Sequence, residues 1–240
     1  MVLTMSNQVQ SVIDRYVKSM RSVRGLFDLY PDPRPQGRPA RKYAPLPPAI
    51  VQGATAAFEA FAEDLLVVAL MNYSTSWAQV SHHADLTNPS LTELSERLDS
   101  TCGVQVSPGS SWKLTTWRQS GKNGTAWIFS RKQSWGDVMR SSQSWIQVRH
   151  CLTHGITTGT EPSKWSDPVK SKASNQGKLP VATEVLAEYG NSGKYSLGIY
   201  PAINCCRVFS EGAAVAAAGV GAALNEKADI SKLAGMFDSI

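Results

Sequence analysis

The stretch that decides the fold is FEAFAEDLLVVALM, residues 58–71. Its large apolar side chains recur every three or four residues, the spacing of one face of a helix, at Phe58, Phe61, Leu65 and Val68. From Leu65 onward the stretch is apolar on every side, and a helix without a polar face is typical of the centre of a bundle. The sequence therefore predicts a long helix over residues 49–77 with other helices packed around it.

The rest of the chain contains those neighbouring helices. Apolar residues at helical spacing, in one case after the start signal Asn88-Pro89-Ser90, cover residues 8–27, 90–100, 134–154 and 202–225. The proline-rich residues 30–48 form a surface connection. Two long irregular insertions are expected, residues 103–132 with room for a small β-hairpin, and residues 156–200 with a short helical window at 182–189. We predict one all-α domain over residues 1–240, an up-and-down helical bundle with these insertions.

Composition limits the class of protein. The chain has 240 residues, 42% hydrophobic and 18% charged, which is an ordinary globular balance. Its four cysteines show no metal-binding or redox spacing, and the N-terminus has no secretory pattern, so we expect a reduced, cytoplasmic protein. The longest apolar stretch, residues 212–224, is too short for a membrane span and is expected to be a buried, closely packed helix. A net charge of +5 agrees with a polyanionic partner without requiring one.

One segment brings together residues suited to phosphodiester chemistry: WIQVRHCLTHG, residues 145–155. Arg149 is a permanent cation that can hold a phosphate in a forked pair of hydrogen bonds. His150 and His154 have the side chain whose ordinary pKa suits proton transfer near neutral pH. On a helix, Arg149 falls on the packing stripe, whereas both histidines lie on a polar stripe. Gly155 is expected to stop the helix.

The spacing of Arg149 and His154 favours a site made by two chains. Five residues correspond to about 140° around a helix axis, so the two side chains do not face each other. Two copies of the helix, crossed or antiparallel at their ends, would bring two arginines and two histidines into one cleft. We therefore expect a homodimer.

The segment resembles the Arg-x4-6-His signature of HEPN domains, in which the residue after the arginine is typically Asn, Asp or His. Arg149, His150 and His154 match it. The long helix with Glu59, and the glycine after the histidine, are similar to the RiboL-PSP branch of that superfamily. The resemblance covers about residues 5–155 and the last helix.

The resemblance implies a dimeric helical bundle with metal-independent endoribonuclease activity and no cofactor. His154 would be the general base or acid, Arg149 would stabilise charge on the scissile phosphate, and His150 would hydrogen-bond and orient the pair. Glu59 is the expected acidic residue near the cleft. Products would carry a 2′,3′-cyclic phosphate and a 5′-hydroxyl. Ile156 stands where HEPN toxins controlled by nucleotidyltransferases usually have tyrosine, so control by modification at that position is not expected.

By family analogy alone, the protein would be a toxin or an antiviral defence effector, and an antitoxin or another defence-system protein would be its partner. The competing class is a non-catalytic helical module that binds nucleotide or RNA or mediates assembly. In that class Arg149 would be a rim residue of the core, and His154 would cap its own helix.

Other residues have alternative interpretations. His150 and His154 have metal-ligand spacing, but the H-E-x-x-H pattern is not met. The adjacent His82 and His83 are expected at a solvated helix end. Other candidates have structural interpretations that are favoured over chemical ones: Glu59 and Glu63 as exposed glutamates rather than a catalytic pair, Cys205 and Cys206 as buried small residues, and Trp135 and Trp145 as core residues.

Overall fold

A computed structural model of the chain describes residues 7–30, 41–72, 76–122, 125–154, 165, 181–189 and 194–238. Of residues 41, 118–122, 125–129, 189 and 194 it describes the backbone only. The predominantly helical fold that the sequence predicts is confirmed. The described helices are α1 (Gln8–Asp28), α2 (Leu46–Met71), α3 (Trp77–Ala84), α4 (Leu91–Cys102), α5 (Trp135–Thr153) and α6 (Ile199–Ala223).

Helix α2 is the centre of the bundle, because α1, α3, α4, α5 and α6 all pack against it. It begins three residues earlier than predicted, since Pro47 and Pro48 lie in its first turn, where a missing N–H costs little. The predicted helix over 49–77 is two helices: α2 ends at Met71, and Ser76 starts α3 through a capping box with Gln79. A local capping signal thus overrides the apolar pattern at this point.

The predicted hairpin is present and belongs to a small sheet. Strands β1 (Leu114–Lys122) and β2 (Thr125–Gln133) pair antiparallel over nine residues each. Two three-residue strands, β3 (Ala187–Tyr189) and β4 (Lys194–Ser196), extend the sheet in the order β2-β1-β3-β4, with β3 parallel to β1. The helical window expected at 182–189 is therefore wrong beyond its first three residues, because pairing with β1 outweighs local helix preference.

The main core lies between α2 and α6. Phe58 stacks against Phe209 with ring centroids 4.7 Å apart, and Trp145 of α5 is buried in the same cluster. The apolar stretch 212–224 is the second half of α6, and most of its side chains are buried as expected, so close helix packing explains its small residues. None of the described helices is long and apolar enough to cross a membrane.

Arg207, a buried arginine of α6, fixes the base of the hairpin. Its side chain is 4% exposed. Nε and Nη2 donate to the carbonyl of Phe237 at 3.1 and 2.9 Å, and Nη1 donates to the carbonyl of Thr115 at 3.1 Å. One turn earlier, the side chain of Asn204 accepts from the backbone N–H of Trp117 at 2.7 Å and donates to the carbonyl of the same residue. Strand β1 and the C-terminal segment are thereby tied to α6.

Gly212 lets α4 approach α6 closely, and replacing it with alanine is expected to destabilise the fold by about 1–2 kcal/mol. A Cβ at this position would lie 2.8 Å from Cγ of Leu91, and since Leu91 is buried, its side chain or the helices would have to shift. The matched control is Gly25→Ala, because a Cβ there meets nothing within 4 Å, and alanine should stabilise α1 by roughly 0.5–1 kcal/mol. Urea unfolding of both variants checks the pair; opposite signs are expected, and equal shifts would contradict the packing.

Candidate functional site

Helix α5 carries the predicted site residues and is defined by local signals. Ser134 begins it with a capping box: its hydroxyl accepts from the N–H of Asp137 at 3.3 Å, and the carboxylate of Asp137 accepts from the N–H of Ser134 at 2.9 Å. The helix ends at Thr153, and His154 is its C-cap residue. The prediction of a helix over 134–154 is confirmed, whereas the expected stop at Gly155 lies outside the described residues.

Arg149 points into the bundle and pairs with Glu59 of α2. Nη1 of Arg149 lies 2.7 Å from Oε2 of Glu59, and the two side chains are 20% and 24% exposed. Nη1 is buried and its N–H bonds are not aligned with the carboxylate, so the contact is an ion pair rather than a well-directed hydrogen bond. The other oxygen of Glu59 accepts from the backbone N–H of Asn88 at 3.0 Å. Glu59 thus holds Arg149 from a fixed position.

His150 and His154 form a second group on the other side of α5. Their ring centroids are 4.3 Å apart with an interplanar angle of 51°. His150 is half-buried, and His154 is exposed at the helix end. Among the described residues neither ring makes a side-chain hydrogen bond, so the two histidines meet in a ring contact and the hydrogen bond expected from His150 is not seen there. Burial and the neighbouring His154 lower the pKa of His150, which favours the neutral form of this ring.

Acidic residues extend the site along α2. Glu63 lies one turn after Glu59, and burial together with the negative charge of Glu59 raises the pKa of Glu63. Asp85, in the connection between α3 and α4, adds to this effect. The shared face predicted for Glu59 and Glu63 is present, but the prediction that both are exposed is wrong, because both are half-buried. Arg149 balances the charge of Glu59, while ionised Glu63 is disfavoured by its surroundings.

Replacing Glu63 with glutamine is expected to raise the melting temperature at pH 7 by about 1–2 °C. A carboxyl whose pKa is raised by folding binds its proton more tightly in the folded state. Its ionisation therefore costs stability as the pH rises above the unfolded-state pKa of about 4.3, and the cost persists through the raised pKa and beyond. Glutamine removes that cost, so the difference between variant and wild type should vanish below about pH 4.

Thermal unfolding between pH 4 and pH 8 measures the effect of Glu63→Gln. The exposed Glu188 of β3 provides the matched control, because Glu188→Gln makes the same chemical change away from the acidic residues of α2. An increase that is equal for both variants, or that is independent of pH, would contradict the assignment.

The remaining polar candidates have structural explanations. His82 and His83 lie in the last turn of α3, with ring centroids 5.5 Å apart, rather than at the end of the long helix. Among the described residues, no group of three His, Cys, Asp or Glu side chains could hold a metal ion. Cys205 and Cys206 are buried free thiols, as predicted, and burial raises the pKa of both.

The tryptophan predictions also hold. Trp145 is 1% exposed, and Trp135 packs edge-on against Trp112 with ring centroids 5.6 Å apart at the margin of the core. Both are therefore packing residues.

Sequence reasoning missed one contributor to the site, the backbone of Asn88. This residue has a φ of 54°, a left-handed conformation that asparagine adopts more easily than most residues. Its position directs the backbone N–H at Glu59. The Asn88-Pro89-Ser90 motif was recognised only as a helix start, and the available signal was that Asn before proline also favours a turn.

The similarity to HEPN proteins rests on Arg149, His150, His154 and Glu59, together with the order of the helices. The structure brings Glu59 to Arg149 and His150 to His154, and it places these two pairs on different sides of α5. The chain matches no family model, no curated protein and no solved structure.

Proposed function

We propose that the protein is a metal-independent endoribonuclease of the HEPN type that acts as a homodimer. The observation that supports this most is the pair of residues at the C-terminal end of α5: Arg149, a cation held by Glu59, and His154, whose ring is exposed. These are the two side-chain chemistries that phosphodiester cleavage without a metal requires.

In this mechanism the neutral imidazole of His154 removes the proton from a ribose 2′-hydroxyl. The 2′-oxygen attacks the adjacent phosphorus, and the bond from phosphorus to the 5′-oxygen breaks. The leaving oxygen takes a proton from a second imidazole, which is in its protonated form. The products are a 2′,3′-cyclic phosphate and a 5′-hydroxyl, and the two proton transfers balance.

Arg149 stabilises the negative charge that develops on the phosphoryl oxygens. The ion pair with Glu59 engages Nη1, and Nε and Nη2 make no hydrogen bond with another described residue. Those two nitrogens form the fork that suits a phosphate. Glu59 is a positioning residue, because it touches the guanidinium and not the reacting atoms.

The dimer follows from the number and direction of these groups. Each chain provides one exposed histidine at the end of α5, because His150 is half-buried, whereas the mechanism needs one base and one acid. Arg149 lies on a different side of the helix from His154. A second chain related by a two-fold axis would provide the missing histidine and set Arg149 of one chain against His154 of its partner.

A second candidate is a non-catalytic helical module that binds RNA or mediates assembly. The ion pair between Arg149 and Glu59 also favours this candidate, because an arginine that only supports packing would be neutralised in the same way. On family analogy, the catalytic candidate carries with it a role as a toxin or defence effector with an antitoxin partner.

Incubation of the purified protein with RNA in EDTA distinguishes the two candidates. The proposal expects cleavage by the wild type, loss of cleavage in Arg149→Ala and His154→Ala, and a dimer by light scattering. Undiminished cleavage by both variants, or cleavage only after a metal is added, would overturn the mechanism. A monomer that cleaves at the full rate would overturn the composite site.

A further inference from the structure

The hairpin region contains basic residues and no acidic residues. No acidic residue occurs between Asp99 and Asp137, and the same interval contains five basic residues, at Lys113, Arg118, Lys122, Arg131 and Lys132. We refer to residues 113–133 as the basic hairpin. It contains five of the 24 basic residues of the chain and none of its acidic residues.

The structure presents three of these cations to solvent. Lys113, Arg131 and Lys132 are exposed. Strand β2 is the outer strand of the sheet, so its far side has no neighbouring strand among the described residues. These three cations lie together at the base of the hairpin, because Leu114 pairs with Gln133 and Thr115 pairs with Lys132. A cluster of three exposed cations matches successive phosphates of one strand better than it matches a single small anion.

Two carboxylates lie beside the basic hairpin and can offset only part of its five positive charges. Asp137 is close enough to Arg131 and Lys113 to interact with their charge, while its Oδ2 accepts hydrogen bonds from the backbone N–H and the hydroxyl of Ser134 in the capping box. Glu188 of β3 lies across from Ser120 of β1. Lysines on an edge strand also hinder pairing with other chains. That role does not require the absence of every acidic residue over residues 100–136.

The basic hairpin is rigidly connected to the candidate site. Its base is fixed to α6 by Asn204 and Arg207. Strand β2 ends at Gln133, and the next residue, Ser134, is the cap of α5. The 19 residues of α5 span about 28 Å, a distance of several nucleotides along a single strand. One continuous element therefore joins the cations to Arg149 and His154.

We propose that the basic hairpin is a binding arm for the sugar-phosphate backbone of single-stranded RNA. Its cations contact phosphates several nucleotides away from the scissile bond, and they fix the position of the strand without reading its sequence. That the bound RNA is also the substrate rests on the function proposed above. The arm should matter for long RNA and not for fragments too short to reach from His154 to the sheet.

The test measures binding of a fluorescently labelled 20-nucleotide RNA in EDTA as a function of KCl concentration. The arm variant is K113Q/R131Q/K132Q. The control, K18Q/R21Q/K227Q, removes three exposed cations elsewhere and gives the same net charge. At about 0.7 released counterions per phosphate contact, the arm variant should lower the salt slope by about 2, so its affinity loss between 50 and 200 mM KCl should be about 16-fold smaller. The control should keep the wild-type slope, and cleavage of a tetranucleotide should be unchanged in the arm variant.

Equal slopes for the arm variant and the wild type, or equal reductions in both variants, would overturn the arm. So would wild-type protein that binds vesicles containing phosphatidylserine but does not bind RNA. The arm and the nuclease can fail separately: slope reduction without any cleavage by the wild type keeps the arm and removes the nuclease, whereas normal cleavage with unchanged slopes does the reverse.

Discussion

Replacing His154 with alanine is expected to reduce the rate of RNA cleavage by about 10³-fold, within the range of about 10²–10⁴ that a general acid or base contributes. The ring of His154 is exposed at the end of α5, and no hydrogen bond to another described residue holds it. Its removal should therefore leave the fold intact, with a change in stability within about 0.5 kcal/mol. In a symmetric dimer the substitution removes both copies at once, so base and acid are lost together. Single-turnover cleavage in EDTA measures the effect.

The matched control for His154→Ala is His82→Ala. His82 is also an exposed histidine near a helix end, and its ring contacts a neighbouring histidine in the same way. The wild-type rate is expected for this variant. If both substitutions reduce cleavage equally, the loss is not specific to His154 and does not support its role in catalysis. If His154→Ala keeps the full rate, His154 has no part in the chemistry.

Replacing Trp145 with alanine should cost about 3–5 kcal/mol of the free energy of unfolding. Trp145 is 1% exposed and lies on α5 one turn before Arg149. Alanine would leave a cavity between α5 and the core, and the helix that holds both parts of the site would lose its largest packing side chain. Cleavage should fall along with stability, in contrast to His154→Ala.

Urea unfolding checks this value against Trp77→Ala. Trp77 is 67% exposed in the first turn of α3, so its loss should change stability by less than about 0.5 kcal/mol. If Trp145→Ala also changes the free energy of unfolding by less than about 0.5 kcal/mol, α5 does not depend on Trp145 for its position.

Local signals explain which parts of the fold were predictable. Helices α1, α4 and α5 follow from apolar periodicity and from cap residues such as Ser90 and Ser134, and their predicted limits agree with the structure within a few residues. The sequence predicted a small hairpin, but it did not indicate that each strand is nine residues long. Strand β3 could not be foreseen, because three residues form a strand only when β1 lies beside them, and β1 is more than 60 residues away.

In the candidate site, too, contacts between residues near in the sequence were predictable and contacts between distant residues were not. The contact between His150 and His154 follows from their spacing of four residues on a helix. The partner of Arg149 is 90 residues away in the sequence, and Glu59 was expected near it through the family resemblance and not through periodicity. The backbone N–H of Asn88 depends on a turn conformation that no pattern of side chains specifies. Contacts between residues far apart in the sequence could therefore be identified only from the structure.

In the proposed mechanism the 2′-hydroxyl of RNA is the nucleophile and no metal takes part. The most direct measurement uses a defined RNA in EDTA, mass spectrometry of the products, and the same RNA with a single 2′-deoxy nucleotide on the 5′ side of the cleaved bond. We expect a 2′,3′-cyclic phosphate and a 5′-hydroxyl from the first substrate and no cleavage at that bond in the second. Cleavage at the deoxy position, or products with a 5′-phosphate, would contradict it.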